Sequence, residues 1–411
     1  MSQTAAKPAA GGALPHPALG PDAAPNLSDL TTLRVGGPVD RYVEATTEAE
    51  LIDAVRSADD AEVPLLVVGG GSNLLVSDAG FDGLVVRDVR QGLEADLSAS
   101  CDVEEGACGG ATITLPAGQD WDAFVAQAVA NEWVGVEALS GIPGTMGAAP
   151  VQNIGAYGQE VSGVVAAVRV WDRDTGRRRT LTLSELGFGY RTSLLKRSMR
   201  GDRAAGEDIW YPTPRYVVLD VRLQMRMGSL SAPVGYAELA RRLDVEVGTR
   251  APSTEVRDAV LELRAGKGML LDGVGGAPTP DHDRWSAGSF FTNPVVPAEE
   301  AAALPDDAPR FPVRSATPTT TTGPALGEVD PRWVKTSAAW LIEHAGFTKG
   351  FGLAGEHSPA RLSTRHTLAL TNRGGATAQD LVALARAVRD GVRDEFGVEL
   401  EPEPVLVGLA L

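Results

Sequence analysis

Between Gly141 and Glu160 the chain reads GIPGTMGAAPVQNIGAYGQE, with glycine at positions 141, 144, 147, 155 and 158. Neither a helix nor a strand tolerates glycine at that density, because each one adds backbone freedom that folding must remove. Glycine serves two purposes that other residues do not. It permits positive φ, and it lets main chain approach main chain or ligand closely with N–H groups exposed. Consecutive exposed N–H groups hold an anion without side-chain charge. A second stretch of this type, GGGSN at 69–73, follows the apolar run VPLLVV at 63–68, which reads as a buried strand entering a glycine turn. Either loop alone reads equally well as a turn in a mixed sheet. Two of them, the second continuing into QNIGAYGQE, suit a clamp on the two phosphates of a dinucleotide. The spacing G-x-G-x-x-G opening a βαβ unit is missing, as is G-x-x-x-x-G-K-[ST], so a Rossmann domain or P-loop is a poor reading.

Composition narrows the partners. A formal net charge of −17 disfavours a nucleic-acid role, and any anion site must be locally basic against that background. No apolar run is long enough to span a bilayer. The two cysteines, Cys101 and Cys108, make neither a disulfide scaffold nor a four-ligand zinc site, and read as thiols of a cytoplasmic protein. The five histidines show no metal spacing, so no metal is expected. The first 25 residues, rich in Ala, Pro and Gly, lack the apolar core of a signal peptide and read as a disordered tail.

Local signals place the elements. Thr47 and Glu50 fit a capping box for a helix reaching about Asp59. Strands are expected at 83–88, 111–118, 164–172, 178–183 and 216–225, and Asp120 caps a helix carrying Trp121, Phe124 and Val125. Residues 199–208 read as a loop, and 228–233 as a boundary between a first domain at 26–228 and a second at 229–411. In the second half, helices are expected at 253–266, 333–345 and 377–396, the last with an apolar stripe at the 3.6 period. Strands are expected at 289–296, 367–372 and 404–411. The Pro/Thr/Ala-rich tract 299–332 reads as an exposed loop insertion.

Five motifs in order, GGGSNLL, GIPGTMGAAPVQNIGAYGQE, FGYRTS, GSFFTNP and LEPEP, resemble the UDP-N-acetylenolpyruvoylglucosamine reductase family over 26–411. The resemblance implies an α+β fold: a vanillyl-alcohol-oxidase-type FAD-binding domain followed by a C-terminal α+β substrate domain. It implies FAD, NADPH as hydride donor, and the enolpyruvyl ether of UDP-N-acetylglucosamine as substrate, in cytoplasmic peptidoglycan precursor synthesis. Because His16, in the tail, is the only histidine before residue 282, the FAD is expected to be held non-covalently. Cofactor contacts are then expected from Gly69, Gly70, Gly71, Ser72 and Asn73, and from Ser140, Gly141, Pro143, Gly144, Gly147, Gly155, Ala156, Tyr157 and Gly158.

The family's catalytic positions fall on Arg191 in GYRTS, Ser289 in GSFFTNP and Glu403 in LEPEP. Each residue type suits its task. A guanidinium meets a carboxylate bidentately and holds it more strongly as charge grows. A serine hydroxyl is a poor acid toward ordinary bases but donates to a carbanion-like carbon. A glutamic acid shares a proton with a developing enediolate. Tyr190, Tyr236, Lys267, Asn293 and His366 fall on substrate-binding positions, with Tyr236 marking the subclass that closes a tyrosine-bearing lid. Pro404 departs from the aliphatic residue the family usually carries after this glutamate. A flavin oxidase of the same fold, or a non-catalytic nucleotide sensor, are the rival readings.

Overall fold

The computed structural model describes residues 25–98, 110–200, 209–271, 280–314 and 327–411. The tail to residue 24, both cysteines and most of the expected 199–208 loop lie outside these residues.

The first unit is a parallel sheet of Val39–Ala45, Phe81–Asp88 and Leu65–Val68, with Phe81–Asp88 in the centre. Parallel strands need a crossover, and Glu48–Asp60 is the helix that supplies one. Its capping box forms as expected: Thr47 Oγ1 accepts from the Glu50 N–H at 3.2 Å, and Glu50 Oε2 accepts from the Thr47 N–H at 3.2 Å. Leu51, Ile52 and Val55 of this helix pack on Leu65, Leu84 and Val86 of the sheet. The strand at 65–68 stops at the first glycine triplet, as the apolar run predicts.

The second unit is antiparallel. Its strands run Arg177–Thr182, Val165–Asp172, Tyr216–Met227, Gly110–Pro116 and Glu94–Asp96 across the sheet. Gly110–Pro116 alternates strictly between buried and half-buried residues, the period-2 signature of a strand with one face on the core. That face covers the helix Trp121–Ala130, capped by Asp120 through a 2.8 Å bond from the Ala123 N–H. The long strand ends at Met227, where the boundary segment begins.

The third unit carries the helices Ala237–Leu243, Ser253–Gly266, Ala338–His344 and Ala378–Phe396. The last matches its apolar stripe, starts on a Thr377–Asp380 capping box and stops at Gly397 in the left-handed region, φ +71°. Two expectations fail here. The described part of the tract 299–332 is not all loop: it holds most of the helix Ala298–Ala303 and the strand Arg310–Arg314, while 315–326, with the threonine run, lie outside the described residues. The helix expected at 333–345 is divided, because 333–336 complete the strand Val329–Thr336 and the helix begins only after the Ser337 cap. Val295–Pro297, Val329–Thr336 and Arg310–Arg314 form a three-stranded antiparallel sheet. Its short strands of mixed composition carry no clear period, and their pairing partners lie far off in sequence. The expected strands at 289–296, 367–372 and 404–411 shrink to Val295–Pro297, Leu370–Asn372 and Val405–Val407.

The C-terminus ties the units together. Val405–Val407 runs parallel to Leu74–Val76 of the first unit. Just before it, the Glu403 N–H donates to Phe290 O at 2.8 Å and the Val405 N–H to Asn73 O at 3.0 Å. Pro404 has no N–H to give, and the ladder passes it by using the residues on either side.

Candidate active site

A cleft of about 490 Å³ opens where the three units meet, a size that suits a bound small molecule. One wall is main chain. The loops at 69–73 and 143–147 lean directly on each other: a Cβ on Gly70 would stand 2.7 Å from Gly144 Cα, and one on Gly69 would stand 2.5 Å from Thr145 Oγ1. Ser72 Oγ donates to Pro143 O at 2.8 Å and fixes the approach. Among the described residues, the N–H groups of Gly70, Gly71, Ser72 and Gly144 donate to no protein acceptor. Such a row of unpaired N–H groups along a cleft fits the diphosphate of a dinucleotide.

Of the expected cofactor contacts, Gly69, Gly70, Gly71, Ser72, Asn73, Pro143, Gly144, Gly147, Gly155, Ala156 and Tyr157 line the cleft. Ser140, Gly141 and Gly158 stand behind the lining. Ser140 is fully buried, and its hydroxyl donates to Glu137 O. A Cβ on Gly141 would reach Leu270 at 2.6 Å, and one on Gly158 would reach the Gly235 main chain at 3.0 Å. These three shape the loop from behind.

The facing wall is built of side chains. Arg191, Ser289 and Glu403, from segments about a hundred residues apart, all line the cleft. Arg191 adopts φ +54° at the tip of a turn. Its Nη2 donates to Gly155 O at 2.7 Å, and a Cβ on Gly155 would press within 2.9 Å of Nη1, so glycine there makes room for the guanidinium. Arg191 Nε lies 3.1 Å from Glu403 Oε1, yet its N–H is not aimed at that oxygen: the contact is an ion pair without a hydrogen bond. Burial pushes the Glu403 carboxyl above its usual range, while Arg191 and Lys196 pull the other way. Ser289 precedes Phe290, whose carbonyl receives the Glu403 N–H, so hydroxyl and carboxyl sit one residue apart across a backbone bond. Asn73 Nδ2 reaches both Gln152 Oε1 at 2.7 Å and Glu403 O at 3.3 Å, which links the two walls.

Tyr236, Lys267 and His366 line another part of the cleft. Lys267 Nζ donates to Glu238 Oε2 at 2.6 Å and stands 5.3 Å from the centroid of the Tyr157 ring, against which Tyr236 packs edge-on. Burial lowers the Lys267 ammonium, but Glu238 and Tyr157 outweigh it and hold the group above its ordinary range. Burial, with Lys267 and Lys349 nearby, brings the His366 imidazole down to about 4, so it is neutral at neutral pH. Tyr190 and Asn293 are outside the lining. The Tyr190 hydroxyl accepts the Asn293 N–H at 3.2 Å, and Asn293 Oδ1 accepts the Ala338 N–H at 3.0 Å.

The sequence reading passed over three cations of this cleft, Lys196, Arg264 and Arg284, the last with Nη1 donating to Leu271 O at 2.6 Å. Lys196 lies five residues after Arg191, three beyond the end of the FGYRTS motif, on the short helix Leu194–Arg197. Arg264 lies three before Lys267, at helical spacing, with Nη2 on Met269 O and a buried Nε without an acceptor. A cation one helical turn from a recognised one was the available signal for Arg264. Among the described residues no group of His, Cys, Asp and Glu is arranged to hold a metal ion, and no helix is long and apolar enough to cross a membrane.

Comparison with known proteins agrees with this geometry. A family model described as "FAD binding domain" matches residues 39–182, and one described as "UDP-N-acetylenolpyruvoylglucosamine reductase, C-terminal domain" matches 279–407. The reductase of that name from Cutibacterium acnes is 50% identical over 385 residues, covering 94% of this chain and 90% of the relative. The one from Nocardia farcinica is 51% identical, covering 94% and 89%. The crystal structure of the Thermus caldophilus reductase superposes with a TM-score of 0.54 at 25% identity, over 93% of this chain and 97% of that one. The α+β class and the FAD-binding architecture expected from the motifs are therefore those found. With half its residues shared with these relatives across nearly its whole length, the chain belongs to the UDP-N-acetylenolpyruvoylglucosamine reductase family of FAD-dependent oxidoreductases.

Proposed function

We propose that this protein reduces the enolpyruvyl ether of UDP-N-acetylglucosamine to UDP-N-acetylmuramate in the cytoplasm, for peptidoglycan synthesis, with NADPH as the source of reducing equivalents. The observation that carries the reading is the meeting of Arg191, Ser289 and Glu403 in a cleft whose opposite wall offers unpaired main-chain N–H groups. The N–H groups of Gly70, Gly71, Ser72 and Gly144 would hold the FAD diphosphate, non-covalently. Bound there, FAD would supply the hydride chemistry that links NADPH oxidation to reduction of the methylene carbon of the enolpyruvyl group.

The chain's own groups manage the charge that results. Of the five N–H donors of the Arg191 guanidinium, two are spent on the carbonyls of Asn153 and Gly155, which leaves donors for the substrate carboxylate. As negative charge builds on that carboxylate, this contact strengthens, which is the differential binding that lowers a barrier. The Glu403 carboxyl, biased by burial toward its protonated form, donates a hydrogen bond to the second carboxylate oxygen. The Ser289 hydroxyl, free of protein partners among the described residues, gives its proton to the carbon next to the new methyl group. Lys267, exchanging Glu238 for substrate, and Tyr236 serve the UDP diphosphate, while neutral His366 offers a hydrogen bond without adding charge, and Asn293, outside the lining, supports Tyr190 from behind.

Anaerobic stopped-flow separates the two half-reactions. Fast bleaching of the flavin by NADPH, followed by reoxidation on adding the enolpyruvyl substrate, is the expected result. A protein purified without flavin, or a reduced flavin indifferent to that substrate, overturns the reading.

A further inference from the structure

Tyr190 and Arg191 form the tip of a tight turn, closed by Gly189 N–H to Thr192 O at 3.0 Å and Thr192 N–H to Gly189 O at 3.2 Å. Arg191 holds φ +54° there, a conformation that a residue with a side chain keeps only where its surroundings impose it. The surroundings act on Tyr190. Lys335 Nζ stands 4.5 Å from the centroid of its ring and Arg191 Cζ stands 5.4 Å from the same centroid, while the Asn293 N–H holds its hydroxyl.

Both handles come from the small three-stranded sheet. Lys335 lies on Val329–Thr336 and pairs with Val295, and Asn293 leads into that partner strand, where the Thr336 N–H donates to Pro294 O at 2.9 Å. Lys335 itself is an odd choice for a packing role. It is half-buried, makes no ion pair among the described residues, and meets the Tyr190 and Phe311 rings instead. Glu160 and Arg191 are the charges that face it, of opposite sign, and burial draws its ammonium below the ordinary lysine range. A methionine would fill the same space without that cost, so the charge calls for another explanation. An ammonium facing an aromatic ring gives the ring a fixed position through its quadrupole.

We propose that this sheet is a positioning element for the reaction and that Lys335 is its working residue. The ammonium holds the Tyr190 ring in place, and the Tyr190–Arg191 turn thereby keeps the guanidinium beside Glu403 and aimed at the substrate carboxylate. The inference rests on the role given above to Arg191.

The test uses flavin-loaded full-length protein and both half-reactions. In Lys335→Met, flavin reduction by NADPH stays within about 2-fold of wild type. Reoxidation at saturating substrate falls about 10- to 30-fold, the upper range for a desolvated cation–π contact, with the substrate dissociation constant moving less than about 3-fold. Lys335→Arg restores the rate to within about 3-fold. The double variant Lys335→Met/Tyr190→Leu is no slower than Tyr190→Leu alone, because the lysine acts through the ring. Wild-type rates for Lys335→Met in both half-reactions overturn the proposal, as does a double variant whose losses multiply. Where Lys335→Met does not fold, Lys335→Gln takes its place; failure of both, with Lys335→Arg folded and active, makes the contact structural and also overturns it. A wild-type flavin that substrate does not reoxidise counts instead against the proposed function.

Discussion

The wall built from 69–73 and 143–147 meets the cleft with main chain, whereas the facing wall meets it with Arg191, Ser289, Glu403, Lys267 and His366. The first has no room: its glycines are consumed where the loops touch each other or the chain behind them at Leu30 and Ala117, and the N–H groups of Gly70, Gly71, Ser72 and Gly144 are left without a protein acceptor among the described residues. The second has room but no chemical latitude, since a guanidinium, a hydroxyl and a carboxyl act by charge and proton. One wall should therefore answer to volume and the other to functional group. Substitutions that fail to separate along that line would show the distinction to be wrong.

The largest effect is expected at Ser289. Ser289→Ala should leave flavin content, apparent Tm and reduction by NADPH near wild type while slowing reoxidation by substrate about 10³-fold, within the span for a lost general acid. Equal losses in the two half-reactions, followed by stopped-flow absorbance, would remove it from the chemistry. Next comes Gly71, at φ +60°, where a Cβ would stand 1.7 Å from Leu30 O. Gly71→Ala should cost about 3 kcal/mol or more, seen as a large fall in apparent Tm and loss of bound flavin, although alanine adds only a methyl group. A variant that keeps its flavin and melts like wild type breaks the volume rule. Glu403→Gln, the same size without the acid, should fold normally and lower substrate reoxidation about 10²-fold. Retained activity would assign the carboxyl a packing role.

The smallest effect is on stability against pH. His366 titrates at about 4 in the fold against 6.5 in the unfolded chain. Between those values the unfolded state takes up a proton that the native state does not, so the contribution is complete above 6.5 and is lost as pH falls toward 4. Allowing for partial exposure of the ring, about 2 kcal/mol is involved. Apparent Tm measured at pH 7 and pH 4.5 should fall less for His366→Gln than for wild type, and parallel curves would contradict the depressed value.

The same contrast separates what was legible in the residues. Thr47–Glu50, Asp120 and the stripe of Ala378–Phe396 were readable because capping and amphipathic burial are local, decided within a turn or two of chain. The strand Val329–Thr336 was not readable, because strand pairing is decided by a partner: its registers with Val295–Pro297 and Arg310–Arg314 stabilise it more than any preference of its own residues. Ser140, Gly141 and Gly158 share the motif's composition but stand behind the lining, since a motif fixes which backbone shapes are allowed without saying which side meets the ligand.

By itself the sequence determined the class of fold, the places where main chain must come close to something, and the residue types available for catalysis. Steric limits on glycine and the periodicity of burial act along the chain and leave their mark in composition. Only the tertiary structure decided that Glu403 is suspended between Phe290 and Asn73 beside Arg191, that burial favours its protonated form, and that Lys335 faces Tyr190. Those facts depend on distances between segments a hundred or more residues apart and on the solvent excluded when they meet, quantities that come into being only once the chain is folded.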